Sequence, residues 1–122
     1  MDFIKGADVS SLLEVEQCGG VFRDSGKEQD ALVILRRYGF NWIRLRLWND
    51  PYSEKGESYG GGLCDLVSVL ALAQRATRLG MKWLLDIQYS DFWTDPGCQT
   101  VPKTWRNLDE RALEDVVYQY TR

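Results

Sequence analysis

Asn41-Trp42-Ile43-Arg44-Leu45-Arg46-Leu47-Trp48 is the stretch that decides the fold. Side chains alternate across a strand, so Ile43, Leu45 and Leu47 point one way and Arg44 and Arg46 the other. Lys82-Trp83-Leu84-Leu85-Asp86-Ile87-Gln88-Tyr89 repeats the pattern, with Leu85 and Ile87 on one face and Asp86 and Gln88 on the other. Strands of a doubly wound sheet are covered by helices on both faces and read as nearly continuous apolar runs. Two arginines on one face do not fit that arrangement. In a (β/α)8 barrel the second face looks into the lumen, and charged groups near its C-terminal end belong to the active-site mouth.

The segments around these strands agree. Phe3 to Val9 reads as a first strand running into a Ser10-Ser11 turn. Asp30 to Tyr38 places Leu32, Leu35 and Tyr38 on one helical face and stops at Gly39. Asp65 to Leu79 places Leu66, Val69, Leu70, Ala73 and Ala76 on one face and stops at Gly80, with Asp65 a good N-cap. Leu108 to Tyr120 is a last amphipathic pattern. Strand starts lie roughly 40 residues apart, against about 30 for a minimal βαβ unit. Eight such units need on the order of 320 residues. The reading is α/β, with residues 1–122 forming the N-terminal three βα units of a (β/α)8 TIM barrel; a small open three-stranded sheet is the alternative.

Composition narrows the chemistry. The chain has 122 residues and a net charge of −3, enough for one small domain. Its acidic balance and lack of a basic run argue against nucleic acid. No apolar run approaches the roughly 20 residues of a membrane span. Met1-Asp2-Phe3-Ile4-Lys5-Gly6 lacks the basic and apolar regions of a secretory leader. The absence of histidine removes Ser-His-Asp triads, Cys-His pairs and His-containing zinc sites. Cys18, Cys64 and Cys98 are too far apart for a C-x-x-C motif and are expected as three buried free thiols, one disulfide being the alternative. No metal and no cofactor is expected. Carboxylates, arginines, five tryptophans and six tyrosines remain, a palette suited to sugars.

Phe3-Ile4-Lys5-Gly6-Ala7-Asp8-Val9-Ser10, Arg44-Leu45-Arg46-Leu47-Trp48-Asn49-Asp50-Pro51, Tyr59-Gly60-Gly61-Gly62 and Leu85-Asp86-Ile87-Gln88-Tyr89-Ser90-Asp91-Phe92-Trp93-Thr94-Asp95-Pro96-Gly97 carry a resemblance. Together with Pro102-Lys103-Thr104-Trp105 and Val117-Tyr118-Gln119-Tyr120-Thr121, they resemble the arabinogalactan endo-β-1,4-galactanases of glycoside hydrolase family 53, in order along the chain. The resemblance implies a (β/α)8 barrel, usually secreted, that cleaves internal β-1,4-galactosidic bonds of galactan and arabinogalactan with retention. It implies an acid/base glutamate following an asparagine on the fourth strand and a nucleophile glutamate on the seventh. Asn41, Asn49 and Asn107 are followed by Trp42, Asp50 and Leu108, so no Asn-Glu pair is present. Retaining hydrolysis needs two carboxyl groups about 5–5.5 Å apart. No catalytic residue is therefore assigned here, and the chain alone is expected to be inactive. Gln88 stands where the family usually carries histidine, replacing a titratable ring with a neutral amide.

By the same resemblance Arg44 hydrogen-bonds the nucleophile carboxylate, a supporting role; its structural alternative is pairing to Asp8 or Asp86 on neighbouring strands. Arg46, Trp48, Gln88, Asp91 and Trp93 are the other candidate substrate-binding residues, with Trp93 stacking on a pyranose face. Trp42, Trp83 and Trp105 are expected in packing. Asp91 and Asp95 are equally read as turn formers, Asp95-Pro96-Gly97 being a turn signal. Gly60-Gly61-Gly62 lacks the spacing of a phosphate loop and reads as a flexible connection. A non-catalytic galactan-binding or self-assembling module is the alternative function. Self-association through exposed strand edges is expected in either case.

Overall fold

The computed structural model describes residues 3–122; Met1 and Asp2, the start of the stretch read for a leader, lie outside the described residues. In chain order the elements are β1 (Gly6–Asp8), α1 (Leu12–Gln17), β2 (Phe22–Asp24), β3 (Lys27–Gln29), α2 (Ala31–Arg37), β4 (Trp42–Leu47), α3 (Leu66–Arg78), β5 (Lys82–Ile87) and α4 (Glu110–Thr121). β4 lies between β1 and β5, parallel to both, with Asp8 opposite Arg44 and Arg46 opposite Asp86. Parallel neighbours joined through helices are the βα units that the alternation required.

The first strand is shorter than expected, because side chains take over its ladder. The Lys5 N–H donates to Asn41 Oδ1 at 2.9 Å and Asn41 Nδ2 donates to the Phe3 carbonyl at 2.9 Å. Phe3 and Ile4 themselves stay exposed. The β2–β3 hairpin and α1 were not foreseen. Ser25 and Gly26 link the two short strands with φ of 51° and 78°, the paired positive values of a tight hairpin turn. Asp24, buried, anchors the hairpin to α2 by accepting from Arg37 Nη1 at 2.8 Å and the Tyr38 hydroxyl at 3.0 Å.

The core lies on the outer face of the sheet. Ile43, Leu45 and Leu47 pack with Leu32 of α2 and with Val69, Leu72, Ala73 and Ala76 of α3. Asp30, Asp65 and Asp109 cap the three longer helices, each accepting a backbone N–H of the first turn. Gly39 and Gly80 follow α2 and α3 with φ of 85° and 67°, the left-handed residues that end both helices. Among the described residues no helix is long and apolar enough to cross a membrane.

All three cysteines are free, but only Cys64 is buried; Cys18 and Cys98 are exposed, which corrects the expectation of three buried thiols. Cys18 is the C-cap of α1 and Cys98 bridges back to Asp95 across the Asp95-Pro96-Gly97 turn, both at the surface. Trp105 is buried as expected, whereas Trp83 stays 41% exposed on the outer face of β5.

Candidate functional site

The strand register brings the charged face together. Arg44 of β4 is flanked by β1 and β5, and its guanidinium reaches a carboxylate on each. Nη1 donates to Asp8 Oδ2 at 2.9 Å and Nη2 donates to Asp86 Oδ2. The side chain keeps 44% of its surface exposed. A guanidinium has five N–H donors, so two such contacts leave others for a third acceptor. Burial pushes the Asp8 carboxyl up, but the hydroxyl and N–H of Ser10 and the guanidiniums of Arg46 and Arg44 outweigh it. Asp8 is held below its usual 3.8.

Arg46 lies deeper, 8% exposed. Its Nη2 donates to the Gly61 carbonyl at 3.3 Å and its guanidinium carbon sits 3.9 Å from the Trp93 ring centroid. Nε is buried and has no hydrogen-bond partner among the described residues. One face of Trp93 is thus covered by a cation, and 45% of the residue remains exposed. Trp48 lies behind, 1% exposed, with ring centroids 5.2 Å from Phe92 and 5.6 Å from Trp93. Its indole N–H donates to Gln88 Oε1 at 2.8 Å, and Gln88 Nε2 donates to Asp86 Oδ2 at 3.1 Å. Arg44, Asp86, Gln88 and Trp48 therefore form one continuous chain of hydrogen bonds.

Asp91 is buried, and it organises two loops. Oδ1 accepts from the Asp50 N–H at 3.0 Å and Oδ2 from the Lys103 N–H at 2.7 Å. Lys103 ties the same loops from the other side, its ammonium donating to the carbonyls of Asp50 at 2.6 Å and Tyr52 at 2.8 Å. The motif containing Lys103 was legible, but the tether joins residues 53 positions apart and has no local signature.

Gly60, Gly61 and Gly62, in the loop that follows β4, all have positive φ, 77°, 75° and 117°. The Gly62 N–H donates to Glu14 Oε2 at 2.7 Å. A Cβ on Gly61 would lie 2.7 Å from Trp93 Nε1, closer than contact allows. Glycine is needed there for the approach of the indole as well as for its backbone angle.

Three parallel βα units, with a charged face opposite the helices and aromatic loops beyond the strand ends, are a portion of a (β/α)8 barrel. The chain belongs to glycosyl hydrolase family 53, whose family model matches residues 4–122. It is 48% identical over 122 residues to "Endo-beta-1,4-galactanase" of Bacillus subtilis, covering 99% of this chain and 28% of that protein. It is 39% identical to "Arabinogalactan endo-beta-1,4-galactanase" of Cellvibrio japonicus, covering 98% of this chain and 30% of the relative. Among solved structures, the "Ignisphaera aggregans GH53 catalytic domain" superposes with a TM-score of 0.96 at 47% identity, over 98% of this chain and 34% of that domain. A fungal β-1,4-galactanase structure gives a TM-score of 0.83 at 33% identity, over 97% of this chain and 33% of that one. The chain spans about a third of the length of the proteins it matches.

Proposed function

We propose that these residues form the Arg44 side of the cleft of a retaining endo-β-1,4-galactanase, acting on internal bonds of galactan and arabinogalactan. The observation that carries the reading is the Arg44 guanidinium, held between Asp8 and Asp86 with donors to spare, on the face that a barrel turns inward. A cation fixed this way keeps a neighbouring nucleophile carboxylate ionised and oriented, the state that attack on an anomeric carbon requires. Trp93 offers its uncovered ring face to a sugar, and Trp48 backs it. Gln88 sets the hydrogen-bond direction at Asp86. Arg46 holds Trp93, and Asp91 shapes the loops that frame the subsite.

The 122 residues hold no Asn-Glu pair, so the chain alone does not hydrolyse galactan. The test joins residues 4–122 to the remaining two-thirds of the Ignisphaera aggregans GH53 domain, the near-superposable neighbour. The completed barrel should release galacto-oligosaccharides with retained configuration, while the chain alone releases none. A folded completed barrel that leaves β-1,4-galactan intact would overturn the reading.

A further inference from the structure

The ammonium of Lys103 sits in a cage of oxygens where the loops that follow β4 and β5 meet. The Asp50 carbonyl accepts from it at 2.6 Å, the Tyr52 carbonyl at 2.8 Å, and Asp50 Oδ2 lies 2.7 Å away. An ammonium has three N–H donors, and three oxygens take them. The buried Asp91 carboxylate adds a second negative charge at 3.8 Å, and the nitrogen lies over the Tyr59 ring, 5.4 Å from its centroid. Burial opposes the charge, but the bond to Asp50 and the carboxylates of Asp91 and Asp50 outweigh it. Lys103 is held above its usual 10.5.

Backbone carbonyls and carboxylates converging on one point are the donor set that proteins use for hard cations. The spacing selects the ion. Oxygens 2.6–2.8 Å from the centre are too distant for Mg²⁺, which needs about 2.0–2.1 Å, and lie at or beyond the limit for Ca²⁺, about 2.3–2.6 Å. The fit is to a monovalent ion of ammonium size. Asp50 keeps 42% of its side chain exposed, so one side of the cage is open to water.

The cage also sets the loops. Asp50 and Tyr52 belong to the same folded segment as Tyr59 and Gly61, because the Tyr59 N–H donates to the Pro51 carbonyl at 3.0 Å and Tyr52 bridges to Ser58. Gly61 is where Trp93 of the other loop makes its close approach. A cation that draws Asp50 and Tyr52 towards Lys103 therefore holds the two loops at the separation which that approach requires.

We infer that Asp50, Tyr52 and Asp91 form a monovalent-cation site that the chain fills with its own ammonium, making Lys103 a positioning residue for Trp93. The site takes a cation and no sugar, so it stands whether or not the galactanase reading does.

The parent chain gives the first test. Acetic anhydride acylates free amines, and mass spectrometry follows each lysine. Lys27 and Lys55 are exposed, and Lys103 should be acylated severalfold more slowly than either, with the difference lost in denaturant. Equal rates in the folded chain overturn the cage.

Removing the ammonium gives the second. Lys103→Ala should lower the thermal midpoint and weaken the near-ultraviolet circular dichroism of the tryptophans. Ammonium chloride should restore both with saturation. Tetramethylammonium chloride at equal ionic strength has no N–H to donate and should not. Lys103→Met keeps a long side chain without the charge and should stay impaired in both salts. Equal recovery in the two salts reduces the effect to screening and overturns the site, as does recovery in neither. Recovery in magnesium chloride but not in ammonium chloride overturns the assignment to a monovalent ion. A Lys103→Met chain with the stability and spectrum of the parent overturns the need for a cation. Should Lys103→Ala fold in no salt, the acylation rates of the parent decide. Should the exposed Cys18 and the buried Cys64 react with iodoacetamide at the same rate, the isolated chain has opened, and both experiments are decided in the completed barrel described above.

Discussion

The indole N–H of Trp48 donates to Gln88 Oε1 at 2.8 Å, and this single bond fixes which way the Gln88 amide faces. With its oxygen turned to Trp48, the amide must present Nε2 to Asp86, where it donates at 3.1 Å. The amide is at once acceptor and donor, and neither role changes with pH. Gln88→Leu keeps the approximate volume but leaves the N–H of a Trp48 that is 1% exposed without its partner. The expected cost is about 1–3 kcal/mol, the penalty for an unsatisfied buried donor, read by urea denaturation. Gln88→His restores both bonds through one neutral tautomer, so its loss should be smaller. Equal losses in the two variants would show that the relay does not stabilise the fold.

Asp8 yields a prediction about acid. Its carboxyl is held below the usual 3.8 because the Ser10 bonds and the two guanidiniums outweigh the opposing effect of burial. A group depressed in the folded state contributes stability above its unfolded pKa, and that contribution fades as pH falls through the folded value. Stability should therefore drop below about pH 4. Asp8→Asn, which still accepts from Ser10 but carries no charge, should weaken the protein at neutral pH and flatten that acid limb. An acid limb as steep in Asp8→Asn as in the parent would assign it to other carboxylates.

Gly61 and Gly56 separate backbone strain from steric conflict. Both have positive φ, 75° and 79°, but a Cβ on Gly56 meets open space whereas one on Gly61 meets Trp93 Nε1 at 2.7 Å. Gly56→Ala should cost about 1–2 kcal/mol, the strain of a left-handed residue with a side chain. Gly61→Ala should cost more and should also displace the indole from Arg46. The checks are thermal denaturation and the near-ultraviolet circular dichroism of the tryptophans. Matching losses and matching spectra would mean that Trp93 moves aside freely.

Much of this was legible because the sequence repeats one physical solution. Alternation in β4 and β5 separated the lumen face from the core face. Gly39 and Gly80 marked the ends of α2 and α3 to within a residue. The pairing of Arg44 with Asp8 and Asp86 was also open to sequence, because register places them on adjacent strands. The β2–β3 hairpin escaped because strands of three residues are too short to show alternation, although Asp24-Ser25-Gly26 was a usable turn signal. The burial of Asp91 and the close approach of Trp93 to Gly61 escaped for another reason. Both depend on contacts between loops far apart in the chain, which no local pattern encodes.

Arg44 and Trp93 should fail in different kinetic terms when the barrel is complete. Arg44 acts on charge, so Arg44→Ala should lower kcat by about a hundredfold or more, as removal of a donor aimed at a reacting charge does. Trp93 supplies stacking to bound sugar whether or not the bond is breaking, so Trp93→Ala should mainly raise KM. Initial rates across galactan concentrations decide the matter. A KM effect for Arg44 and a kcat effect for Trp93 would mean that the two roles are exchanged.

The isolated 122-residue chain should associate with itself. β1 and β5 are the two edges of the three-stranded sheet, and each presents unpaired backbone groups on one side. Apolar surface accompanies those edges: Ile4 is 61% exposed beside β1, and Leu84 and Trp83 on β5 are 54% and 41% exposed. Ile4, Ala7, Trp42 and Leu84 together line an open cleft of about 380 Å³ on the face that carries Arg44. Covering this surface with a second copy removes apolar area from water at about 25 cal/mol per Å² and pairs the edges at the same time. Whole domains are held by only about 5–15 kcal/mol, so a gain of this kind is large for a chain of this size. Sedimentation velocity should show mass rising with protein concentration. Leu84→Lys, which places a charge on the exposed edge without touching the outer core, should shift the distribution towards monomer. A concentration-independent monomer with a cooperative thermal transition in the parent chain would show that the exposed edges are tolerated, and that the three units stand as a domain by themselves.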